Sequence, residues 1–314
     1  MRSLQAWPDI ASQSAFMSDD CIDILRFAAD CFDEGFGAAL VTLVEIRGGA
    51  ARALGAQMAV RSDALHCGYV SGGCTEAAIA AEAAEAIASG FDRYLKIGEG
   101  SKFFDIMLPC GGAINLSIHV LRESHALRTV IGDLEARRRS GLRYDPSAQA
   151  LQVAPFMVEP AWQNECFVTS YRPCTRLLLS GQSIELQMTA NLATAVGYDL
   201  LLASTAAEGR NISPEQIDGD TAVALLHHDL DREIPVLQAA LAANPFYIGC
   251  LGSARTHKRR SDALRDLGYG EADIIRIKAP IGIFGKARDA GSLALSVLAD
   301  IAAARSRPTS VSSL

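Results

Sequence analysis

The strongest constraint on the fold lies in the second half of the chain, where short apolar segments alternate with helical ones. Helical patterns at 184–196, 235–243, 256–267 and 292–304 separate strand-like runs at 176–180, 198–203, 222–227, 246–251 and 274–277. Such alternation is typical of a parallel sheet, because parallel strands need long crossover connections that helices usually provide. The sequence therefore predicts an α/β fold whose second half is a Rossmann-like, doubly wound parallel sheet.

The first half of the chain predicts a separate α/β domain. Helical spacing covers 21–34, 75–89 and 125–139, and strand-like runs cover 38–45, 55–61, 91–97 and 113–121, with two short strands within 142–158. Tyr171-Arg172-Pro173 is typical of a linker. We therefore expect an N-terminal domain over 1–170, a Rossmann-like domain over 171–305 and a disordered Ser- and Pro-rich tail over 306–314.

Composition argues against several classes of protein. The chain has 314 residues, which suits two domains, and a net charge of −7, which opposes binding to nucleic acid. It shows no signal-peptide pattern and no apolar run of the roughly 20 residues that a membrane span needs. Its eight cysteines include no CxxC spacing. We expect a cytoplasmic protein with reduced thiols, no nucleic-acid partner and no membrane span.

Two loops place a cysteine beside paired glycines: SGGCTEAA at 71–78 and LPCGGAI at 108–114. Glycine next to a functional group indicates a sharp turn or the close approach of a large ligand. The thiolates of Cys74 and Cys110 are soft metal ligands and nucleophiles, so the loops predict one metal or cofactor site. For a shared site we expect the two cysteines within about 10 Å of each other, without a disulfide. The alternative, that both are buried structural thiols, stays open.

The same loops offer groups besides sulfur for binding a cofactor. A helix is predicted to begin at Thr75, and helix N-termini attract phosphates and thiolates. Gln57 and Glu76 flank this region and can hydrogen-bond a heterocycle, or serve only as cap and surface groups. The first-domain candidates for cofactor binding are Gln57, Gly72, Gly73, Cys74, Glu76, Cys110, Gly111 and Gly112.

The second half contains two further groups of polar residues at the ends of predicted strands. Gly252, Ser253 and Arg255 follow the fourth strand and can hold a phosphate, or belong to a solvated basic helix face. A second group follows the third strand and is either a metal site or a capped loop with solvated charges. Its members are His227, His228, Asp229 and Asp231.

Six blocks of the sequence resemble the XdhC/CoxI family of xanthine dehydrogenase accessory factors. In the first half these blocks are GGAARALGAQMAV at 48–60, GYVSGGCTEAAI at 68–79 and PCGGAI at 109–114. In the second half they are LHHDLDREIPVLQAAL at 226–241, FYIGCLGSARTHKRR at 246–260 and RIKAPIGI at 276–283. The final helical stretch, SLALSVLADIAAAR, is similar to the closing helix of the family. The blocks occur in the family's order and span most of 35–305.

The resemblance implies a two-domain accessory protein that carries the molybdenum cofactor, a pterin dithiolene with a phosphate tail. It implies that a cysteine desulfurase sulfurates the held cofactor, which then passes to a molybdenum hydroxylase such as xanthine dehydrogenase. By this resemblance Cys74 and Cys110 match the family's two glycine-flanked cysteines and would face the metal. We expect a protein that binds and delivers the cofactor rather than a catalyst, and we expect it to form a homodimer.

Two departures from the Rossmann pattern argue against NAD(P) binding. The first turn reads Gly181-Gln182-Ser183, with Leu186 at the position of the last small residue, and the second strand ends in Ala203-Ser204-Thr205 without an acidic residue for the ribose. An NAD(P)-linked oxidoreductase therefore remains only as an alternative. Another alternative is a thiol enzyme with Cys74 as nucleophile, for which His66 and His119 are the candidate bases.

Overall fold

The computed structural model describes residues 13–73, 75–98, 112–182, 184–203, 212–227, 229–284 and 287–307. The chain divides into two compact units, Met1–Pro173 and Cys174–Leu314. The tail predicted to be disordered lies, from residue 308 onward, outside the described residues.

The first unit is built on a five-stranded antiparallel sheet. Its strands are β1 (Ala38–Arg47), β2 (Gln57–Arg61), β3 (His66–Gly68), β4 (Arg93–Gly98) and β5 (Ala113–Val120), in the order β3-β2-β1-β5-β4. Side chains alternate between the two faces of a strand. On β5, Ile114, Leu116 and Ile118 join one apolar core, while Asn115 and Ser117 point to the opposite face.

Three helices cover this sheet: α1 (Cys21–Asp33), α2 (Glu76–Ser89) and α3 (His125–Glu135). The alanine-rich α2 packs on the face that carries Leu116, and α1 and α3 form a second core with Leu40 of β1. Helix α3 is shorter than the sequence predicts, because Arg137 adopts a left-handed φ of 58° and ends the helical path.

A second, four-stranded sheet completes the first unit. It consists of β6 (Ser140–Asp145), β7 (Ala150–Ala154), β8 (Ala161–Gln163) and β9 (Cys166–Tyr171), in the order β7-β6-β9-β8. The sequence predicts only two strands within 142–158, so the β8–β9 hairpin was missed. Its turn residues Asn164 and Glu165 both have positive φ, and glutamate does not signal such a turn as glycine would.

The second unit confirms the predicted doubly wound parallel sheet. Five strands pair in parallel in the order β11-β10-β12-β13-β14. The strands are β10 (Arg176–Gly181), β11 (Asp199–Ala203), β12 (Thr221–Leu226), β13 (Tyr247–Cys250) and β14 (Ile277–Lys278). The order reverses between β10 and β12, so a crevice opens there at the carboxyl ends of the strands.

The described part of this unit contains five α-helices: α4 (Ile184–Ala195), α5 (Leu230–Ala242), α6 (Ala254–Asp266), α7 (Glu271–Ile274) and α8 (Ala290–Arg305). Helix α5 begins before the predicted residue 235, because Asp229 caps it by accepting a hydrogen bond from Asp231 N–H. The strand predicted at 274–277 is instead the end of α7 followed by β14. Within the described residues, no helix is both long enough and apolar enough to cross a membrane.

Candidate functional site

Three glycine-bearing loops of the first unit meet at the end of β1. The loop after β1 contains Gly48, Gly49 and Ala51. A Cβ built on Gly112, just before β5, would overlap the Gly49 carbonyl oxygen and lie 2.7 Å from that of Arg47. A Cβ built on Gly72 would lie 3.0 Å from the Ala51 Cβ. We call the group Gly48, Gly49, Ala51, Gly72, Gly73 and Gly112 the glycine rim.

Glycine is required at this rim for two physical reasons. Gly112 lets two backbone segments touch directly, since any side chain would displace the Gly49 carbonyl group. Gly72 and Gly73 adopt φ values of +88° and +101°, which residues with a Cβ rarely take. The rim therefore exposes backbone groups where larger residues would cover them.

Glu76, the first residue of α2, holds the adjoining loop in place. Its Oε1 accepts hydrogen bonds from the Val70 and Ser71 backbone N–H groups, at 3.1 and 2.8 Å. Its Oε2 accepts from the Ser71 hydroxyl at 2.7 Å and from the Thr75 N–H at 3.1 Å. Burial by itself raises the pKa of Glu76, but these hydrogen bonds, led by Ser71, outweigh it and lower the pKa. The carboxylate thus stays charged and serves its own loop.

Thr75 carries a polar atom that the loop does not use. Its side chain is buried, and among the described residues its Oγ1 is the buried side-chain oxygen with no hydrogen-bond partner. A buried hydroxyl without a partner costs about 1–3 kcal/mol. Thr75 is the N-cap residue of α2, and backbone N–H groups at a helix N-terminus favour anions.

Gln57, by contrast, is already engaged at both ends of its amide. Its Nε2 donates to Thr42 Oγ1 at 3.1 Å, and its Oε1 accepts from the Tyr171 hydroxyl at 2.7 Å. Burial raises the pKa of Tyr171, so that hydroxyl remains a donor. Gln57 therefore joins β2 to β1 and β9 inside the unit.

The predicted ligands Cys74, Cys110 and Gly111 lie outside the described residues, so their separation stays a prediction. Their neighbours Gly73, Thr75 and Gly112 are described and border the rim. The six described cysteines form no disulfide; two are half-buried, Cys21 and Cys174, and four are buried, Cys31, Cys67, Cys166 and Cys250. Burial raises the pKa of Cys67 to about 11, for example. No group of three potential metal-ligating side chains occurs in the described parts of the chain.

The two histidines considered as bases for a thiol nucleophile occupy other places. His119 is buried, and its Nδ1 lies 2.7 Å from Asp92 Oδ2. It stands seven residues from Gly112 along β5, a distance of about 23 Å. His66 Nδ1 contacts the Ala64 carbonyl oxygen at 3.3 Å. Neither geometry indicates a base directed at the rim.

In the second unit, the described residues at the carboxyl ends of β10 and β12 contact one another. Gly181 packs against Leu226 and Leu186, each within 3.4 Å of where a Cβ would stand. Ser180 Oγ and His227 Nε2, both buried, form a hydrogen bond of 2.7 Å. Ser183, Ser204, Thr205 and His228 lie outside the described residues.

At the start of α6, the Ser253 hydroxyl is likewise engaged in a hydrogen bond within its own turn. Gly252 has φ +125°, and Ser253 Oγ caps the helix by accepting from Thr256 N–H at 3.3 Å. Arg255 is exposed. The basic stretch nearby is not wholly solvated, because Arg260 is fully buried and its Nε donates to Glu233 Oε1 at 2.5 Å.

Sequence reasoning missed three features: the loop at Gly48 and Gly49, the Thr75 hydroxyl, and the Arg260–Glu233 pair. The first had a usable signal, since paired glycines directly follow a buried strand. The other two had none, because burial of a threonine or an arginine depends on tertiary contacts far apart in sequence.

Comparison with known proteins gives a consistent result over both units. The model of the XdhC and CoxI family matches residues 31–98, and the model of the XdhC Rossmann domain matches residues 177–301. The chain is 54% identical over 298 residues to the molybdenum cofactor insertion chaperone PaoD of Escherichia coli K12, covering 93% of this chain and 91% of that protein.

Among solved structures, the chain is similar to a Bacillus halodurans protein described as a xanthine dehydrogenase. The TM-score is 0.70 at 19% identity, over 93% of this chain and 97% of the other. At this identity the likeness concerns the fold alone.

Proposed function

The chain belongs to the XdhC and CoxI family, and from this premise we propose that it binds the molybdenum cofactor and delivers it to a molybdenum hydroxylase. Its Escherichia coli relative is a molybdenum cofactor insertion chaperone, which supports this role. The observation that carries the proposal is the glycine rim, where the loop after β1 approaches Gly72 and Gly112, each two residues from a predicted ligand cysteine.

The groups at the rim fit such a cargo. Cys74 and Cys110 would supply thiolates toward the metal, which soft sulfur ligands suit. The backbone N–H groups of Gly72, Gly73, Gly111 and Gly112 would approach the ring system and its anionic groups closely. Among the described residues, the buried Thr75 hydroxyl has no hydrogen-bond partner, and Gly112 allows the loop after β1 to pack directly on the chain before β5.

Glu76 and Gln57 would serve the site by holding its walls, because their polar atoms already bond within the unit. Gly252, Ser253 and Arg255 of the second unit are a separate proposal, as a weaker site for a phosphate group. That site would use Arg255, since Ser253 Oγ caps α6.

The remaining parts of the proposal concern partners and place. The client would be a molybdenum hydroxylase such as xanthine dehydrogenase, and a cysteine desulfurase would sulfurate the cofactor while it is held. The chain would act as a homodimer in the cytoplasm, without turnover chemistry of its own.

The proposal is tested by purifying the chain from cells that make the cofactor and assaying bound pterin and molybdenum. We expect both to copurify with the wild-type chain, and both to fall at least tenfold in Cys74→Ser and Cys110→Ser. Cys21→Ser is the matched control, a half-buried cysteine of the same unit, and should keep the cofactor. A wild-type chain that carries neither pterin nor molybdenum would contradict the proposal.

A further inference from the structure

The first unit contains a cleft apart from the glycine rim, on the face of the sheet opposite α2. Its volume is about 380 Å³, within the range of small-molecule sites. Its polar and aromatic lining comes from four strands: Glu45 of β1, Asn115 of β5, Tyr94 and Lys96 of β4, and Trp162 of β8.

The three polar residues stand in a row across neighbouring strands. Glu45 pairs with Asn115 in the β1–β5 register, and Lys96 pairs with Asn115 in the β4–β5 register. Neighbouring strands lie about 4.8 Å apart, so the row runs from an acceptor to a cation over about 10 Å. Asn115 donates from its Nδ2 to Glu45 Oε2. The Oδ1 atom of Asn115 is a further acceptor in the row.

The Glu45 carboxylate is held as an acceptor in this row. Arg47 Nε donates to its Oε1 at 2.8 Å from outside the cleft lining. The hydrogen bond from Arg47, followed by that from Asn115, lowers the pKa of Glu45, so it is ionised at neutral pH. An ionised carboxylate accepts two N–H donors side by side.

An anchored aromatic ring borders the row. Trp162 Nε1 donates to the Val44 carbonyl oxygen at 3.1 Å, and its ring packs edge-on against Phe167. Trp162 nevertheless remains 42% exposed, and Tyr94 is 56% exposed. Rings held in this way can stack on a planar ligand at low entropic cost.

We propose that this cleft binds the 2-amino-4-oxopyrimidine edge of a fused heterocycle, the edge that pterins and guanine share. Glu45 would accept from the 2-amino group and the ring N3–H, Lys96 would donate to the 4-oxo oxygen, and Trp162 would stack on the ring. The inference rests on the proposed function where the ring is the pterin of the cargo. Asn115 is three residues from Gly112, about 10 Å along β5, so such a ring would lie beside the rim.

The test uses pterin and lumazine, which differ only in the 2-amino group, as fluorescent probes at trace concentration. The full chain is titrated into each, and guanosine monophosphate is added as a competitor. Pterin should bind at least tenfold more tightly than lumazine, because lumazine presents an acceptor to Glu45. Displacement by guanosine monophosphate at a lower concentration than by unlabelled pterin would assign the edge to a guanine nucleotide; the reverse order would assign it to the pterin.

Glu45→Gln should weaken pterin binding at least tenfold. Because Glu45 is half-buried and accepts hydrogen bonds from Arg47 and Asn115, the unfolding midpoint is measured beside the affinity, so that the loss of binding is read on folded chain. Glu135→Gln is the matched control: an exposed glutamate of the same unit, paired with Arg26 outside the cleft. Trp162→Phe should reduce the quenching of the probe. Equal affinities for pterin and lumazine, or wild-type affinity in Glu45→Gln, would overturn the proposal.

The cleft and the proposed function fail in different ways. A chain that loses the cofactor in Cys74→Ser but keeps it, and keeps pterin binding, in Glu45→Gln would refute the cleft alone. A wild-type chain without molybdenum cofactor that still prefers pterin to lumazine through Glu45 would refute the proposed function alone.

Discussion

The glycine rim of the first unit and the strand-end crevice of the second unit look alike in sequence but differ in structure. Both place glycines at the ends of strands and beside the start of a helix. At the rim, Gly112 brings two backbones together and Thr75 keeps a buried hydroxyl without a partner among the described residues. In the crevice, Ser180 bonds His227, and elsewhere in the same unit Arg260 of α6 bonds Glu233 of α5.

From this difference we infer that a glycine turn is a candidate binding site only where polar groups remain for a ligand. The second unit bonds the buried polar groups Ser180, His227, Arg260 and Glu233 to one another, whereas beside the rim the Thr75 hydroxyl has no partner among the described residues. The fold class alone would have placed the ligand in the second unit, because Rossmann-like domains commonly bind nucleotides.

The largest loss of stability is expected from breaking the buried Arg260–Glu233 pair of the second unit. Arg260→Met should destabilise it by about 3–5 kcal/mol, because Glu233 would be left buried and charged without its partner. Chemical denaturation followed by circular dichroism measures the loss. The double variant with Glu233→Leu should recover most of it; no loss in the single variant would show that the pair is not structural.

Gly112→Ala should destabilise the first unit by about 3 kcal/mol, since its Cβ would push the Gly49 carbonyl group away from β5. Gly132→Ala in α3 is the control. It has open space for a Cβ and should leave stability unchanged or raise it by about 0.5–1 kcal/mol. Equal unfolding midpoints for the two variants would contradict the close backbone contact at the rim.

The acid stability of the first unit should depend on Asp92, which contacts the end of β5 remote from the rim. Burial opposes ionisation of Asp92, but His119 and then Arg122 and Val120 N–H outweigh it and lower its pKa from 3.8 to about 2. Because the pKa of Asp92 is lower in the folded than in the unfolded state, its ionised carboxylate stabilises the fold above the unfolded-state pKa. This stabilisation is lost as the pH falls through about 2.

This linkage amounts to about 2 kcal/mol at neutral pH, of which about 1 kcal/mol should be lost between pH 6 and pH 3. Asp92→Asn should flatten the dependence of unfolding free energy on pH by that amount in urea titrations. An unchanged pH dependence would mean that the Asp92–His119 contact contributes nothing.

The last prediction is an absence of binding: NAD, NADH and NADPH should not bind the chain at micromolar concentration. Gly181 is packed against Leu226 and Leu186, and the crevice hydroxyl of Ser180 is already bonded to His227. Calorimetry is the measurement, and a dissociation constant below about 10 μM for any of the three would revive the oxidoreductase alternative.

Periodicity predicted the parallel sheet and α2 because both depend on local patterns of apolar residues. It missed the β8–β9 hairpin, whose Asn164-Glu165 turn lacks glycine, and placed the start of α5 at Pro235 because the Asp229 cap was not recognised. The meeting of Gly49 with Gly112 could not be predicted, since it joins segments more than sixty residues apart. Paired glycines could indicate each loop but not their contact.

X-ray absorption at the molybdenum edge of the loaded chain shows whether the cysteine loops at the rim hold the cofactor. We expect protein sulfur in the metal's coordination shell, and one sulfur fewer in any metal that Cys74→Ser or Cys110→Ser retains, with the wild-type spectrum in Cys21→Ser. The same sulfur coordination and the same molybdenum content in both variants as in the wild type would contradict this expectation.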